Sequence, residues 1–180
     1  IGVLTTRPFT QSTADWVSEK IDDKDNVMFL GYGNIAEKVK TKNAHIINRS
    51  IRKQDLIKQL DGVNCLVVSM TPEGNDNFVD EDILKNFKGK IISVSRANVI
   101  DNTALYNNLD NISHAYIDTL DSKYREELLE SGKVTYTKHT AWSHNFSYED
   151  NQEYYSKLQI RILNPEAYKP VLPRTERVTF

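Results

Sequence analysis

The chain has 180 residues, of which 39% are apolar and 27% are charged, and its formal net charge is −2. This length suits one domain with a hydrophobic core and is too short for two large ones. A nearly neutral charge balance gives no electrostatic reason to expect a nucleic-acid or membrane partner. No apolar run approaches the length of a membrane span, and one cysteine cannot form an internal disulfide, so we expect a reducing, cytoplasmic setting.

The spacing of apolar residues predicts strands and helices that alternate along most of the chain. An amphipathic helix over Ser12–Ile21 precedes the first strand. Apolar, β-rich runs predict six strands, at 26–30, 44–48, 63–69, 90–95, 113–118 and 133–137. Helical patterns lie at 35–39, 54–60, 80–87, 101–109, 123–130 and 148–163. Strands that alternate with helices of this size require crossover connections, which predicts an α/β fold with a doubly wound parallel sheet.

A glycine-rich turn, Gly31-x-Gly33-x-x-Ala36, follows the first predicted strand. The first glycine permits a tight turn, the second lets the backbone approach a pyrophosphate, and a small third residue lets helix and sheet pack closely. The alternative is that these glycines serve only the backbone of a strand–turn–helix unit. Because the turn opens a six-strand alternating pattern, we expect it to bind a dinucleotide. The residues predicted to bind it here are Gly31, Tyr32, Gly33, Asn34 and Ile35.

These features predict a Rossmann-type fold of three layers, with the whole chain, 1–180, forming a single dinucleotide-binding domain. Its parts are an N-terminal linking helix over 1–25, the Rossmann core over 26–163, and an extended tail with spaced prolines over 164–180.

The end of the second predicted strand, Asn48-Arg49-Ser50, bears on the choice of cofactor. An NAD site of this kind ends that strand with an acidic residue, which accepts a hydrogen bond from the ribose hydroxyl. An arginine and a serine suit the 2′-phosphate of NADP instead, because a guanidinium pairs with phosphate through two hydrogen bonds. The sequence therefore favours NADP, with Asn48, Arg49 and Ser50 as ligands. A solvated basic turn is the alternative reading, and NAD stays open as the cofactor.

Five later segments resemble, in order, the motifs of one family. They are 71–73 for "TPE", 87–96 for "MKxGAxxINxxR", 99–105 for "VVDxxAL", 117–120 for "LDVF" and 137–141 for "TPHxA". Over residues 26–160 the chain resembles the cofactor domain of the D-isomer-specific 2-hydroxyacid dehydrogenases. The resemblance implies hydride transfer between NAD(P)(H) and a small 2-keto or 2-hydroxy acid. It also implies that Thr71 and Pro72 border the nicotinamide and that Asp118 is a cofactor residue.

Two residues carry the expected chemistry. Arg96 follows a buried strand at the carboxyl edge, where α/β sheets bind ligands, and its guanidinium suits the carboxylate of a keto acid. His139 follows the sixth strand and suits general acid–base catalysis at the carbonyl oxygen. The alternatives are an ion pair between Arg96 and Asp101 and a histidine that only forms a loop hydrogen bond. His144 is a rival for the role of His139.

The sequence also departs from the family pattern. Lys123 occupies the position of the glutamate that orients the family's histidine, and Asp121 is the nearest carboxylate that could replace it. Ala97 replaces the glycine after the arginine, and Lys138 replaces the proline before the histidine. The family builds a substrate domain from chain on both sides of the cofactor domain, whereas only 25 residues precede the first strand here. A non-catalytic dinucleotide-binding module, either a sensor or an assembly subunit, is therefore the alternative function.

The sequence also suggests a homodimer. In the resembling family, cofactor domains pair through their own helices, and the segment 141–148 is rich in aromatic residues here. The helix over 12–21 carries Trp16 beside apolar neighbours with no obvious place in a lone domain. A two-fold contact would cover these aromatic groups, which are enriched at interfaces. The alternative is that the N-terminal helix packs on its own sheet.

Overall fold

The computed structural model describes residues 8–39, 41–47 and 51–145, together with residues 149, 152 and 156. The strands are β1 (Val27–Leu30), β2 (Ala44–Ile46), β3 (Cys65–Val68), β4 (Gly89–Ser93), β5 (Ile112–Ile117) and β6 (Val134–Tyr136). The α-helices are α1 (Pro8–Ser18), α2 (Lys53–Gln59), α3 (Glu81–Asn86), α4 (Asn102–Asn107) and α5 (Arg125–Glu130). Short 3-10 helices are formed by Ala36–Lys38, Ala97–Val99, Leu109–Asn111 and Ala141–Ser143.

The six strands form one parallel sheet in the order β2-β1-β3-β4-β5-β6. From β1 the chain moves outward to β2 and then returns to β3 on the other side of β1. Doubly wound sheets bind ligands where the strand order reverses, at the carboxyl ends of the strands. The predicted Rossmann-type α/β fold is therefore confirmed, and its switch point lies between β1 and β3.

The sheet buries apolar side chains on both of its faces. In β1, Met28 and Leu30 belong to one apolar cluster, and Val27 and Phe29 belong to the cluster on the opposite face. All four residues of β1 and all four of β3 are buried, as expected for parallel strands with covered faces. Because both faces of the sheet are buried, the strands appear in the sequence as continuous apolar runs.

Helix α1 packs on the sheet of its own chain. Ala14, Trp16 and Val17 are buried, with exposed fractions of 0%, 4% and 0%. Trp16 and Val17 belong to the same apolar cluster as Phe29. The structure thus shows the alternative in which this helix packs on its own sheet.

The helix expected after the glycine turn is only one turn long. The chain forms a 3-10 helix over Ala36–Lys38 and is extended again at Val39. Only residues 31–43 connect β1 to β2, and the segment 40–43 has no apolar side chain that would bury a longer helix. The three residues of the edge strand β2 are consequently exposed.

The last predicted helix, over 148–163, and the predicted tail lie outside the described residues, apart from residues 149, 152 and 156, which are helical. Within the described ranges, the helices are too short or too polar to cross a membrane.

Candidate functional site

A series of hydroxyl groups connects neighbouring loops at the carboxyl edge of the sheet. Ser69 Oγ donates to the carbonyl oxygen of Gly31 at 2.7 Å, which joins the loop after β3 to the loop after β1. Ser95 Oγ donates to the Met70 carbonyl at 3.0 Å, and Thr119 Oγ1 donates to the Ser95 carbonyl at 2.6 Å. The loops that follow β1, β3, β4 and β5 are therefore held as one connected surface.

The two glycines of the turn have different surroundings. Gly31 has a φ of +91°, and a Cβ added there would lie 2.9 Å from backbone atoms of Ser69 and Met70. A Cβ added to Gly33 would meet nothing within 4 Å. The fold therefore requires a glycine at position 31, whereas position 33 faces open space, as expected where a ligand approaches the backbone. The residues of this loop fit a dinucleotide in that respect.

The other residues of the turn lie at the surface. Tyr32 is 45% exposed, and its ring meets Phe29 edge to face at 6.4 Å between ring centroids. Asn34 is exposed and Ile35 is half-buried. The 3-10 turn that follows is too short to have a large macrodipole. A pyrophosphate at this site would therefore depend on the backbone N–H groups of the turn.

A cavity of about 290 Å³ lies at the switch point, and its walls come from the loops after β1, β2 and β3. Four predicted cofactor residues line it: Gly31, Tyr32, Gly33 and Thr71. Sequence reasoning missed Ile47, Ile51, Met70, Asn75 and Phe78. Phe78 offered a signal, since it is an apolar residue that directly follows the polar residues 75–77. Asn75 holds the loop closed, because its Nδ2 donates to the Thr71 carbonyl at 2.8 Å.

Other predicted cofactor residues are not among those that line the cavity. Pro72 is half-buried, and its carbonyl accepts a hydrogen bond from Asn75 N at 2.9 Å. The predicted ligands of the 2′-phosphate, Asn48, Arg49 and Ser50, lie outside the described residues. Their flanking residues, Ile47 and Ile51, both line the cavity.

Arg96 is exposed and lies three residues beyond the end of β4. Among the described residues it forms no ion pair. Asp101 caps α4 instead, since its Oδ1 accepts from Thr103 N at 2.9 Å and from Ala104 N at 3.1 Å. The ion pair considered as an alternative for Arg96 is therefore not formed.

His139 is exposed three residues beyond the end of β6, in an unusual backbone conformation. Lys138 and His139 have φ angles of +57° and +62°, which non-glycine residues seldom adopt. A proline ring holds φ near −65°, so this backbone excludes the proline of the family motif. The His139 N–H donates to the Asp118 carbonyl at 2.6 Å.

Asp118 is 4% exposed and uses its carboxylate within the chain. Its Oδ1 accepts from Thr137 Oγ1 at 2.6 Å and from Ala141 N at 2.9 Å. Asp121 is exposed, and the described contacts include no hydrogen bond between it and His139. The structure thus joins Asp118, and not Asp121, to the loop of the histidine.

His144, the rival histidine, faces α1. Its Nε2 lies 2.7 Å from Glu19 Oε2, and Asn145 Nδ2 donates to Glu19 Oε1 at 3.1 Å. The hydrogen bond from Asn145 and, after it, the contact with His144 lower the pKa of the Glu19 carboxyl, against the opposing effect of its burial. These contacts give His144 a structural role that attaches the segment after β6 to α1.

A doubly wound parallel sheet with a glycine turn and a cavity at its switch point defines a dinucleotide-binding domain. The chain belongs to the family described as "D-isomer specific 2-hydroxyacid dehydrogenase, NAD binding domain", whose sequence model matches residues 26–141. The resemblance found in the sequence is thereby confirmed, and the cofactor is a nicotinamide dinucleotide. No curated protein matches the chain significantly.

Several solved structures share the fold. An NADPH-dependent glyoxylate/hydroxypyruvate reductase from Sinorhizobium meliloti, in complex with citrate, is 17% identical with a TM-score of 0.71, and the match covers 93% of this chain and 68% of that one. An acyclic imino acid reductase in complex with NADPH and D-Arg is 19% identical with a TM-score of 0.68, covering 92% and 68%. D-lactate dehydrogenase from Aquifex aeolicus, complexed with NAD and lactic acid, is 16% identical with a TM-score of 0.60, covering 92% and 64%.

Proposed function

We propose that the protein is an NAD(P)-dependent oxidoreductase that interconverts a small 2-keto acid and the corresponding 2-hydroxy acid. One observation carries this proposal. Arg96 and His139 follow β4 and β6, the two strands that flank β5, so both residues lie at the carboxyl edge of the sheet. The loops at that edge continue, through the hydroxyl series, to the cavity beside the glycine turn.

Each residue has a defined role in the proposed reaction. The nicotinamide supplies the hydride to the keto carbon or accepts it in the reverse direction. Arg96 binds the substrate carboxylate through its fork of N–H donors. His139 donates a proton to the carbonyl oxygen as the alkoxide forms and takes it back during oxidation. Asp121 would orient the histidine only if its loop moved, because it forms no described bond to His139.

The proposed cofactor is NADP, with Arg49 as the residue that reads the 2′-phosphate. Two neighbouring cations are already paired with carboxylates. Arg52 binds Asp55, with Nη2 and Oδ2 2.7 Å apart, and Lys53 binds Asp80. Arg49 comes shortly after β2, and Ile47, the last described residue before it, lines the cavity. These facts favour Arg49 over the other basic residues nearby.

The preference for NADP is tested by two matched variants. We expect Arg49→Ala to weaken NADPH binding by about 10-fold or more, which is about 1.4 kcal/mol and typical of a lost charge-assisted hydrogen bond, while NADH binding is unchanged. Arg52→Ala removes a cation that Asp55 neutralises and should keep the wild-type preference. Fluorescence titration of the wild type and both variants with both cofactors measures the six affinities. Equal weakening by the two variants would exclude Arg49 as the phosphate ligand.

The alternative function is a non-catalytic dinucleotide-binding module. Lys123 at the family's glutamate position favours it, since the described contacts include no hydrogen bond between His139 and a carboxylate that would orient its ring. The decisive experiment measures NADPH oxidation with glyoxylate, hydroxypyruvate and related keto acids, together with direct cofactor binding. Binding without turnover of any keto acid would support the module and reject the enzyme.

We also propose that the protein forms a homodimer through the segment 141–148. Trp142 is half-buried in this segment, and Ala141 beside it is buried in its own chain. Trp16 is buried against its own sheet and is not part of the proposed contact.

A further inference from the structure

The segment 119–125 runs between the two loops that carry the proposed chemical roles. At its start, Thr119 Oγ1 donates to the carbonyl of Ser95, the residue before the proposed carboxylate ligand, at 2.6 Å. At its end, the guanidinium carbon of Arg125 lies 4.9 Å from the centre of the Tyr136 ring, at the last residue of β6. The proposed acid–base residue follows Tyr136 by three positions. The residues between the two contacts are therefore held at the carboxyl edge, beside the proposed reaction site.

Lys123 lies in this segment, and an aromatic ring orients its side chain. Its Nζ lies 4.8 Å from the centre of the Tyr124 ring. That ring stacks on Tyr106 of α4, with 4.4 Å between ring centroids and 4° between ring planes. The face of a ring attracts a cation but carries no net charge that would neutralise it. The ammonium group of Lys123 is thus positioned by its surroundings and keeps its charge for an anion.

The loops after β4, β5 and β6 carry more exposed cations than exposed carboxylates. Their exposed cations are Arg96, Lys123 and Lys138, and their one exposed carboxylate is Asp121. Within the described part of the chain, none of these four residues forms an ion pair. The remaining carboxylates of these loops accept hydrogen bonds from their own chain and are Asp101 and Asp118. Further along, in α5, the carboxylates without a described ion pair to Lys123 are Glu126 and Glu127.

This charge distribution exceeds what a substrate with one carboxylate requires. The guanidinium of Arg96 is sufficient for the carboxylate beside the keto group, because it offers two parallel N–H donors. A ligand with a single charge would leave Lys123 without a partner. Excess charge of one sign at a binding site attracts ligands of the opposite sign and selects among them.

We propose that the substrate is a 2-keto acid with a second anionic group at the other end of a short carbon chain, and that Lys123 binds this group. The second group is a carboxylate or a phosphorus oxyanion. With its first carboxylate on Arg96, such a substrate spans the end of β5. The proposal rests on the proposed function, since it names the substrate class of that same site. Lys123 is then a specificity residue and takes no part in hydride or proton transfer.

The test compares keto acids of equal length that differ in the terminal group. Oxaloacetate and 2-oxobutanoate form one pair, and 2-oxoglutarate and 2-oxopentanoate form the other. We expect the wild-type kcat/KM to be about 10-fold or more higher for the dicarboxylate of at least one pair, the scale of a hydrogen bond to a charged group. Lys123→Gln should abolish this preference and leave kcat/KM for the monocarboxylates within about twofold of wild type. Phosphonopyruvate replaces the terminal carboxylate of oxaloacetate with a phosphonate, and a higher kcat/KM for one of these two identifies the kind of anion.

Two other lysines provide the comparison variants. Lys88 is exposed directly before β4, at the opposite edge of the sheet, and Lys88→Gln is the matched control. It should leave every kcat/KM within about twofold of wild type, because solvent and salt screen a charge at that distance. Lys138 is the other exposed lysine at the carboxyl edge, and Lys138→Gln should retain the preference for dicarboxylates.

A second measurement does not depend on turnover. Oxidised cofactor cannot reduce a keto acid, so calorimetry on protein saturated with NADP+ or NAD+ gives the Kd of each keto acid. In at least one pair the dicarboxylate should bind about 10-fold or more tightly than its partner in the wild type, and with equal affinity in Lys123→Gln. Added salt should weaken binding of the dicarboxylate more than that of the monocarboxylate.

The outcomes are separable. Equal affinity of the wild type for both members of each pair, or binding of neither, would overturn the proposal. Loss of the preference in Lys138→Gln and its retention in Lys123→Gln would overturn the assignment to Lys123. An absence of turnover of every keto acid in the wild type would reject the proposed function, and the Kd values would then decide by themselves whether Lys123 binds a second anion.

Discussion

At the scale of single residues, the glycine turn separates what the fold requires from what a ligand requires. Gly31 is confined by the backbone of the neighbouring loop, at 2.9 Å from the position of a Cβ, whereas Gly33 has no neighbour within 4 Å. Both positions carry the same residue type in the sequence, although the motif assigns them different roles. Their different surroundings allow stability and cofactor binding to be tested with the same substitution.

We predict that Gly31→Ala destabilises the fold and that Gly33→Ala impairs only cofactor binding. The first variant combines a left-handed backbone with a steric overlap and should lower the free energy of unfolding by about 2–4 kcal/mol. The second should stay within about 0.5–1 kcal/mol of wild type while weakening NADPH binding roughly 10-fold. Urea unfolding and fluorescence titration measure the two quantities. Wild-type cofactor affinity in Gly33→Ala would mean that the dinucleotide does not approach this backbone.

We predict different kinetic effects for the two residues with proposed chemical roles. His139→Ala removes the proton donor and should lower kcat by about 10²-fold or more. Arg96→Ala removes a binding contact and should mainly raise KM for the keto acid, which follows if the guanidinium binds substrate and transition state alike. His144→Ala is the comparison, because His144 contacts Glu19, the residue that follows α1. If His144→Ala abolished turnover and His139→Ala did not, the assignment of the histidine would be wrong.

At the scale of elements, the close packing of β4 against the loop before β3 depends on the first residue of β4. Gly89 has a φ of +153°, and an added Cβ would lie 2.1 Å from the Asn64 carbonyl oxygen. That oxygen also accepts the Lys90 N–H at 2.9 Å, and the register between β4 and β5 shifts at Gly89 and Lys90. A side chain at position 89 would thus separate the two central strands of the sheet.

We predict that Gly89→Ala destabilises the protein far more than Gly132→Ala does. The overlap with Asn64 should lower the free energy of unfolding by about 3 kcal/mol or more, since backbone atoms must move. Gly132 has a φ of +71° and no atom within 4 Å of an added Cβ, so its substitution should cost only about 1–2 kcal/mol for the left-handed conformation. Chemical denaturation of the two variants measures the difference in the free energy of unfolding. An equal decrease in both variants would contradict the prediction, because it would mean that the loop before β3 moves aside at little cost.

At the scale of the whole molecule, helix α1 is part of the folded core. Trp16 lies against the sheet, with Lys20 Nζ 4.2 Å from the centre of its ring. The hypothesis that α1 forms an interface assumed that Trp16 is exposed on the surface of the single chain. The structure instead attaches α1 to the segment after β6 through Glu19 and His144.

We predict that Trp16→Ala lowers stability without changing the oligomeric state. The loss of a buried aromatic side chain should reduce the free energy of unfolding by about 3–5 kcal/mol. Trp142→Ala is the comparison, because Trp142 lies in the segment of the proposed two-fold contact. Light scattering at micromolar concentration should show dissociation for Trp142→Ala only. A monomeric wild type would contradict the dimer proposal. Dissociation of Trp16→Ala would indicate that α1 forms part of the interface.

The sequence by itself determined the six parallel strands, the glycine turn and the edge at which Arg96 and His139 lie. These features depend on local patterns, namely the length of an apolar run, a glycine after a strand, or the residue that follows a strand end. These features could be predicted from the sequence because each pattern lies within a few neighbouring residues.

Only the tertiary structure decided what each residue contacts. The helix after the glycine turn is shorter than the sequence predicted, Trp16 is buried against its own sheet, and Phe78 lines the cavity. It also joined Thr137 to Asp118, which lie 19 residues apart, and His144 to Glu19, which lie 125 residues apart. Such contacts follow from how the strands and helices pack against one another, and a pattern confined to one segment carries no information about a partner so distant in the chain.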